Sequence, residues 1–183
     1  MQLNYTGKLV RIRPFVDLDE FKNLNREMDL EEQEFWGYGW WPKQESRELF
    51  EQHAMLDADI YFSFLAIERL DTGELIGHEL LQLPKTGVIT AEIGTGILRK
   101  HWHQGFGREA KRLAMRLLFE NYPLAAVTAT TLAHHKRAIA GILAIGMRYE
   151  GAIRFSAFSN GYWAHKAKYI ILREKWERLA NQT

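Results

Sequence analysis

Residues 101–119 read HWHQGFGREAKRLAMRLLF and contain two glycines, Gly105 and Gly107, at the entrance of an amphipathic helix. Phe106, Ala110, Leu113, Ala114, Leu117 and Leu118 recur at the spacing of a 3.6-residue period, which predicts one buried face. Arg108, Lys111, Arg112 and Arg116 fall mostly on the other side. Glycine weakens a helix by about 1 kcal/mol relative to alanine, so that entrance needs bare backbone. A helix N-terminus exposes unpaired N–H groups and carries partial positive charge. Strand, glycine-rich turn and helix together form a phosphate cradle, or else a tight loop with no ligand. The Lys-Ser/Thr pair of a P-loop and the dinucleotide fingerprint are both missing.

The preceding segment, AEIGTGIL (residues 91–98), places Gly94 and Gly96 inside a strand. Interior glycines predict a bulge or the close approach of another backbone. A bulge would splay the strand and free its N–H and C=O groups for a ligand that carries amides. A ligand with both amides and a diphosphate is coenzyme A.

The rest of the chain predicts a strand at 8–13 and a helix opened by Asp17 with Glu20 as a capping box. An aromatic loop (35–42) and a helix (42–56) follow. Strands are expected at 61–70, 74–83 and 88–98, the first two joined through Asp71-Thr72-Gly73. After the glycine-led helix come a strand (125–132), a short helix (136–146) closed by Gly146, and strands near 147–157 and 162–173. The expected fold is α/β (α+β): one domain over 1–183, in the order β-α-α-β-β-β-α-β-α-β-β. Its sheet is mixed and mostly antiparallel, of about seven strands, with helices on both faces.

Composition narrows the function. The 183 residues are 46% apolar and 26% charged, with a formal net charge of +1, which does not suggest a nucleic-acid binder. No apolar run approaches the ~20 residues of a membrane span, and the first residues lack the apolar centre of a signal peptide. A cytoplasmic location is the default expectation. There are no cysteines, which excludes an acyl-cysteine intermediate. Any group transfer passes directly to the acceptor or through another residue. His101, His103, His134, His135 and His165 do not predict a metal site, because no spacing fixes three or four ligands together.

The segment AEIGTGILRKHWHQGFGREA (91–110) resembles the acyl-CoA motif Gln/Arg-x-x-Gly-x-Gly/Ala of the GNAT N-acetyltransferase superfamily. The later Ile145-Gly146-Met147, Glu150-Gly151, Gly161 and Trp176 resemble the tail of its Rim-type branch, which acetylates protein N-terminal amines. Trp102 stands where the motif usually has Gln or Arg. His135 and Ala138 stand where the branch often has Asn and Ser, and His165 where it often has Asp.

The resemblance implies an acetyl-CoA-dependent N-acetyltransferase. The acceptor would be a protein N-terminal amine or a small amine, and the chain a monomer or homodimer. Glu92 is the candidate base, acting through water, or a strand-face carboxylate in an ion pair. The backbone N–H near Ile97 or Leu98 is the candidate donor to the thioester carbonyl. Arg99, Trp102, His103, Gln104, Gly105, Phe106, Gly107 and Arg108 are expected around pantetheine and diphosphate. His135 or Tyr149 could serve as general acid, and His135 could instead contact the coenzyme. His134–Arg137 could meet the coenzyme's 3′-phosphate or only water. Trp36, Tyr38, Trp40 and Trp41 could wall the acceptor groove. A coenzyme A-binding sensor with little catalysis is the alternative.

Overall fold

The computed structural model describes residues 4–28, 62–83, 89–159 and 162–181. The loop with Trp36, Tyr38, Trp40 and Trp41, and the helix expected at 42–56, lie outside them.

Eight strands form a single sheet: β1 (Tyr5–Thr6), β2 (Val10–Pro14), β3 (Phe62–Arg69), β4 (Leu75–Gln82), β5 (Thr90–Ile97), β6 (Ala126–Leu132), β7 (Arg148–Ser159) and β8 (Tyr162–Leu172). Their spatial order is β1-β2-β3-β4-β5-β6-β8-β7. Every neighbouring pair is antiparallel except β5–β6, which is parallel. The described helices are α1 (Leu18–Glu27), α2 (Phe106–Asn121), α3 (Lys136–Leu143) and α4 (Arg173–Ala180), with a 3₁₀ turn at Arg99–His101.

Local chemistry sets the helix ends. Asp17 caps α1 by accepting the Glu20 N–H at 2.8 Å, as its spacing from Glu20 implies. Gly146 follows α3 with φ of 90°, the left-handed value that terminates a helix. Two elements go beyond the sequence reading. One is β1, an extra strand of only two residues. The other is α4, whose Trp176 and Leu179 pack on the main core. Trp176 was legible only as the end of a motif, because its burial depends on Phe119, against which it stacks at 6.1 Å.

Two apolar cores cover the two faces of the sheet. The larger joins α2 and Ile142 of α3 to Ala91, Ile93 and Ile97 of β5. The smaller gathers Phe15, Phe21, Leu24 and Met28, in and beside α1, against Ala66 and Leu98. Successive strand side chains point to opposite faces. Odd-numbered β5 residues therefore face α2, and even-numbered ones, Glu92 included, face α1.

The bulge expected at Gly94 and Gly96 is absent. β5 pairs with β4 without a register shift from Glu92↔Gln82 to Ile97↔Gly77. The close approach expected there is real: a Cβ added at Gly77 would fall on the Gly96 carbonyl.

Candidate active site

The opening that a bulge was expected to make comes from the other edge of β5. Its parallel pairing with β6 is confined to Thr90–Glu92 against Ala126–Thr128. Beyond Glu92 the strands diverge around a cleft of about 480 Å³, lined by residues 93–97 of β5 and 129–132 of β6. The Leu98 N–H donates to the Ile76 carbonyl at 2.9 Å. Alternation along an antiparallel pair then turns the amides of Ile93, Thr95 and Ile97 away from β4, toward the gap. Leu98 is withdrawn as a donor by its bond to β4, and its side chain is buried on the α1 side.

The loop from β5 to α2 shapes the mouth. His103 and Gly105 both adopt left-handed backbone, with φ of 61° and 88°. Gly105 occupies the cap position of α2, where no side chain bonds to the helix. First-turn N–H groups are thus left for a ligand. Gly107 serves a different need. A Cβ there would lie 3.3 Å from Ile97 Cγ1 and 3.9 Å from Thr95 Cγ2, so bare backbone lets α2 lie close on β5.

Trp102 fixes the far end. Its indole N–H donates to the Ile97 carbonyl at 2.7 Å. Its ring lies 3.5 Å from the Arg137 guanidinium carbon and 5.0 Å from that of Arg99. Arg137 belongs to α3, so this contact spans the two walls of the cleft.

Of the residues expected around the coenzyme, Ile97, Trp102, His103, Gly105, Phe106, Gly107, Arg108 and His135 line the cleft. Leu98, Arg99 and Gln104 do not; Arg99 and Gln104 are exposed, and Gln104 donates to the Lys100 carbonyl at 3.2 Å. Glu92 also lines the cleft, at its vertex and on the α1 side, near Leu80 and Gln82. Tyr149 does not: it is exposed, with its ring edge-on to Tyr169 at 5.7 Å.

His135 sits at the head of α3 with Nδ1 3.3 Å from Thr131 Oγ1. Burial, with Arg137, His134 and Lys111 nearby, lowers its pKa to about 4. The ring is neutral at pH 7. His101 is buried and faces Glu74 across 3.3 Å.

Three contributors go beyond the sequence reading. Lys111 lines the cleft rather than the outer face of α2, and its position four residues after Gly107 was the available signal. The sequence reading placed Arg137 only within the tract His134–Arg137, facing the coenzyme's 3′-phosphate or water. The third is the β7–β8 hairpin. Its register shifts between Ile153 and Ala157. There Phe155 takes φ of 47°, and its N–H donates to His165 Nδ1 at 3.0 Å. Ile153, Ser156 and Lys166 of this hairpin line the cleft. Among the described lining residues Glu92 is the single carboxylate, against the cations Arg108, Lys111, Arg137 and Lys166.

A splayed parallel pair, an uncapped helix mouth and a cationic cleft suit a ligand with amides and phosphates. Comparison with known proteins gives the family. A family model described as "Acetyltransferase (GNAT) domain" matches residues 10–148. Over 113 residues the chain is 32% identical to "Uncharacterized N-acetyltransferase YoaA" of Bacillus subtilis (strain 168), covering 60% of this chain and 62% of that protein. The match therefore spans less than two thirds of that relative's length. The fold is similar to that of spermidine N-acetyltransferase from Vibrio cholerae in complex with CoA and spermine, with a TM-score of 0.79, 21% identity and coverage of 92% of this chain and 98% of that one. It is also similar to Mycobacterium smegmatis RimJ in complex with CoA-disulfide, with a TM-score of 0.77, 18% identity and coverage of 96% and 93%. The family match spans most of the sheet and the whole mouth of the cleft, and the chain belongs to the GNAT acetyltransferase family.

Proposed function

We propose that this protein is an N-acetyltransferase that moves the acetyl group of acetyl-CoA directly to an amine. The observation that carries this reading is the divergence of β5 and β6 next to a helix that opens without a side-chain cap. The gap-facing amides of β5 suit pantetheine, which would pair there as an added strand. The first turn of α2 suits the diphosphate.

The split between the two faces of the sheet orders the chemistry. The cradle of Gly105 and Gly107 lies on the α2 side, and Glu92 lies on the α1 side at the vertex. The acceptor amine would approach Glu92 while the thioester reaches the vertex from the cradle. The amine nitrogen forms a bond to the carbonyl carbon, the C–S bond breaks, and its electron pair leaves on sulfur. The proton lost by nitrogen passes to Glu92, directly or through water. An α-amine of pKa about 7.7–8.0 needs little help, whereas a lysine-like amine near 10.4 needs more. Ile97 is five residues from Glu92, about 16 Å along the strand. The Ile93 amide, next to Glu92 and facing the gap, is the better donor to the thioester carbonyl.

The leaving thiolate has an ordinary pKa near 8.5 and can depart without a proton donor. His135, held neutral, is a weak acid for it and suits a coenzyme contact instead. Tyr149 is remote from the cleft. The acceptor is a small amine or a protein N-terminal amine of the kind the Rim-type branch modifies. The fold shared with a spermidine N-acetyltransferase supports the first. The tail motif at Ile145–Met147 and Glu150–Gly151 supports the second.

The test is thiol release from acetyl-CoA against a panel of N-terminal peptides and polyamines. Wild type should release thiol with at least one class. Glu92→Gln should lower kcat/KM by about 10²-fold or more across the pH range. An unchanged profile removes Glu92 as base. Tight acetyl-CoA binding with no release for any amine favours a sensor instead.

A further inference from the structure

Lys111 is an unusual residue to find between α2 and the sheet. It lies one turn beyond Gly107, and its Nζ donates to the Gly107 carbonyl at 3.4 Å. The neighbouring core is apolar, built from residues such as Ile97, Ala110, Leu113 and Ile142. On β4, beneath it, Glu79 is fully buried. One Glu79 oxygen accepts the Thr95 hydroxyl proton at 2.7 Å, and the other has no hydrogen-bond partner. Glu79 and Thr95 lie directly opposite each other in the β4–β5 register. Removing a carboxyl from water costs several kcal/mol, and Lys111, half-buried at the cleft, gives up part of its hydration as well. The fold alone gives no reason for this pair.

The charges around Lys111 explain what it lacks. Glu79 is the carboxyl on the β4 side. Arg137 and the neutral ring of His135 face it from the head of α3. Arg108 of its own helix and Lys166 of β8 line the same cleft. One buried carboxyl therefore stands against several cations and the positive end of a helix. Burial pushes Glu79 up to about 8 and holds Lys111 below the ordinary lysine range, each effect offset in part by the other group. The cleft is short of negative charge.

Position says where that charge would arrive. Lys111 Nζ is 3.8 Å from the site of a Gly107 Cβ and 3.9 Å from that of a Gly141 Cβ. It therefore lies between α2 and α3, just inside the helix mouth. Thr95, on the same floor, is three residues from Glu92, about 10 Å along the strand. The ammonium is remote from the reacting carbonyl and close to the diphosphate cradle.

We propose that Lys111 is a coenzyme-binding residue that reaches the diphosphate from the cleft floor while the first-turn amides of α2 meet it at the mouth. This rests on the acetyl-CoA reading above.

Titration calorimetry with coenzyme A, inorganic pyrophosphate and pantetheine, which lacks the diphosphate, tests it on wild type and Lys111→Met. The variant should weaken coenzyme A and pyrophosphate tenfold or more and leave pantetheine within twofold. Because Lys111→Met leaves Glu79 without its cation, Lys111→Met/Glu79→Gln is measured beside it and should show the same selective loss. Unchanged coenzyme A affinity overturns the proposal, and so does a loss shared equally by pantetheine. Lys111→Arg, which keeps the charge, should recover part of the affinity; a variant as weak as Lys111→Met also overturns it. Failure of wild type to bind coenzyme A at all would instead overturn the acetyltransferase reading itself.

Discussion

The Arg137 guanidinium lies 3.5 Å from the centre of the Trp102 ring, joining the head of α3 to the loop that leads into α2. The cleft lies between those two elements, so the contact helps set its width and aims a cation across it. A cation over an indole contributes roughly 0.5–2 kcal/mol. Trp102→Ala should release Arg137 and raise the dissociation constant for coenzyme A several-fold. Trp102→Phe keeps a ring but loses the N–H that holds the Ile97 carbonyl, and should fall between the two. Calorimetry on the three proteins checks this; equal affinities would dissociate the contact from binding.

The two glycines at the mouth should fail in different ways. Gly105→Val forces a β-branched residue into φ of 88°, and should lower both stability and coenzyme affinity by about 1–2 kcal/mol. Gly107→Val meets Ile97 and Thr95 and should push α2 off β5. Its thermal melting point should drop further, with coenzyme protection lost. If thermal scans with and without coenzyme A show both variants protected as well as wild type, the cradle is not the binding site.

Glu109 ties the N-terminal segment to α2. Its carboxylate accepts the N–H groups of Lys8, Leu9 and Val10 at 2.8, 2.7 and 2.8 Å. Hydrogen bonds to a charged group contribute more than neutral ones. Glu109→Ala should cost about 2–3 kcal/mol in urea unfolding. Coenzyme affinity should change little, because Glu109 does not line the cleft. A loss under 0.5 kcal/mol, the ordinary range for a surface change, would show that the three bonds are replaced by water.

The two buried histidines should cost stability as pH falls below neutral. Burial lowers the pKa of His78 from 6.5 to about 4, and His135 is lowered to about 4 as well. The unfolded chain takes up these protons as pH falls through 6.5, while the folded rings stay neutral until about 4. The stability from neutral rings is present above 6.5 and is lost progressively across that window. Glu79, raised to about 8, contributes the opposite slope in this window. The histidine part is therefore read as the difference in melting temperature between pH 7.5 and 5 for wild type and for His78→Leu, which should lose less on acidification. An equal drop in the variant would assign the slope to other groups.

Much of this protein was legible in its sequence. The buried stripe of α2, the Asp17 cap, the left-handed stop at Gly146 and the glycine mouth are local. Each depends on backbone preference or a period of a few residues, and each was found where expected. Tertiary structure decided what those elements face. A bulge was the local reading of Gly94 and Gly96, yet the opening comes from β6 leaving β5 after Glu92, a choice set by two strands far apart in sequence. Lys111 looked like a solvated charge until α3 and β4 enclosed it. Arg137 became part of the cleft only through Trp102. Periodicity and capping act within one segment, whereas burial, field and cleft geometry depend on which segments meet. The glycine mouth could therefore be read from residues 101–119, and the way Lys111 and Arg137 meet around the cleft could not.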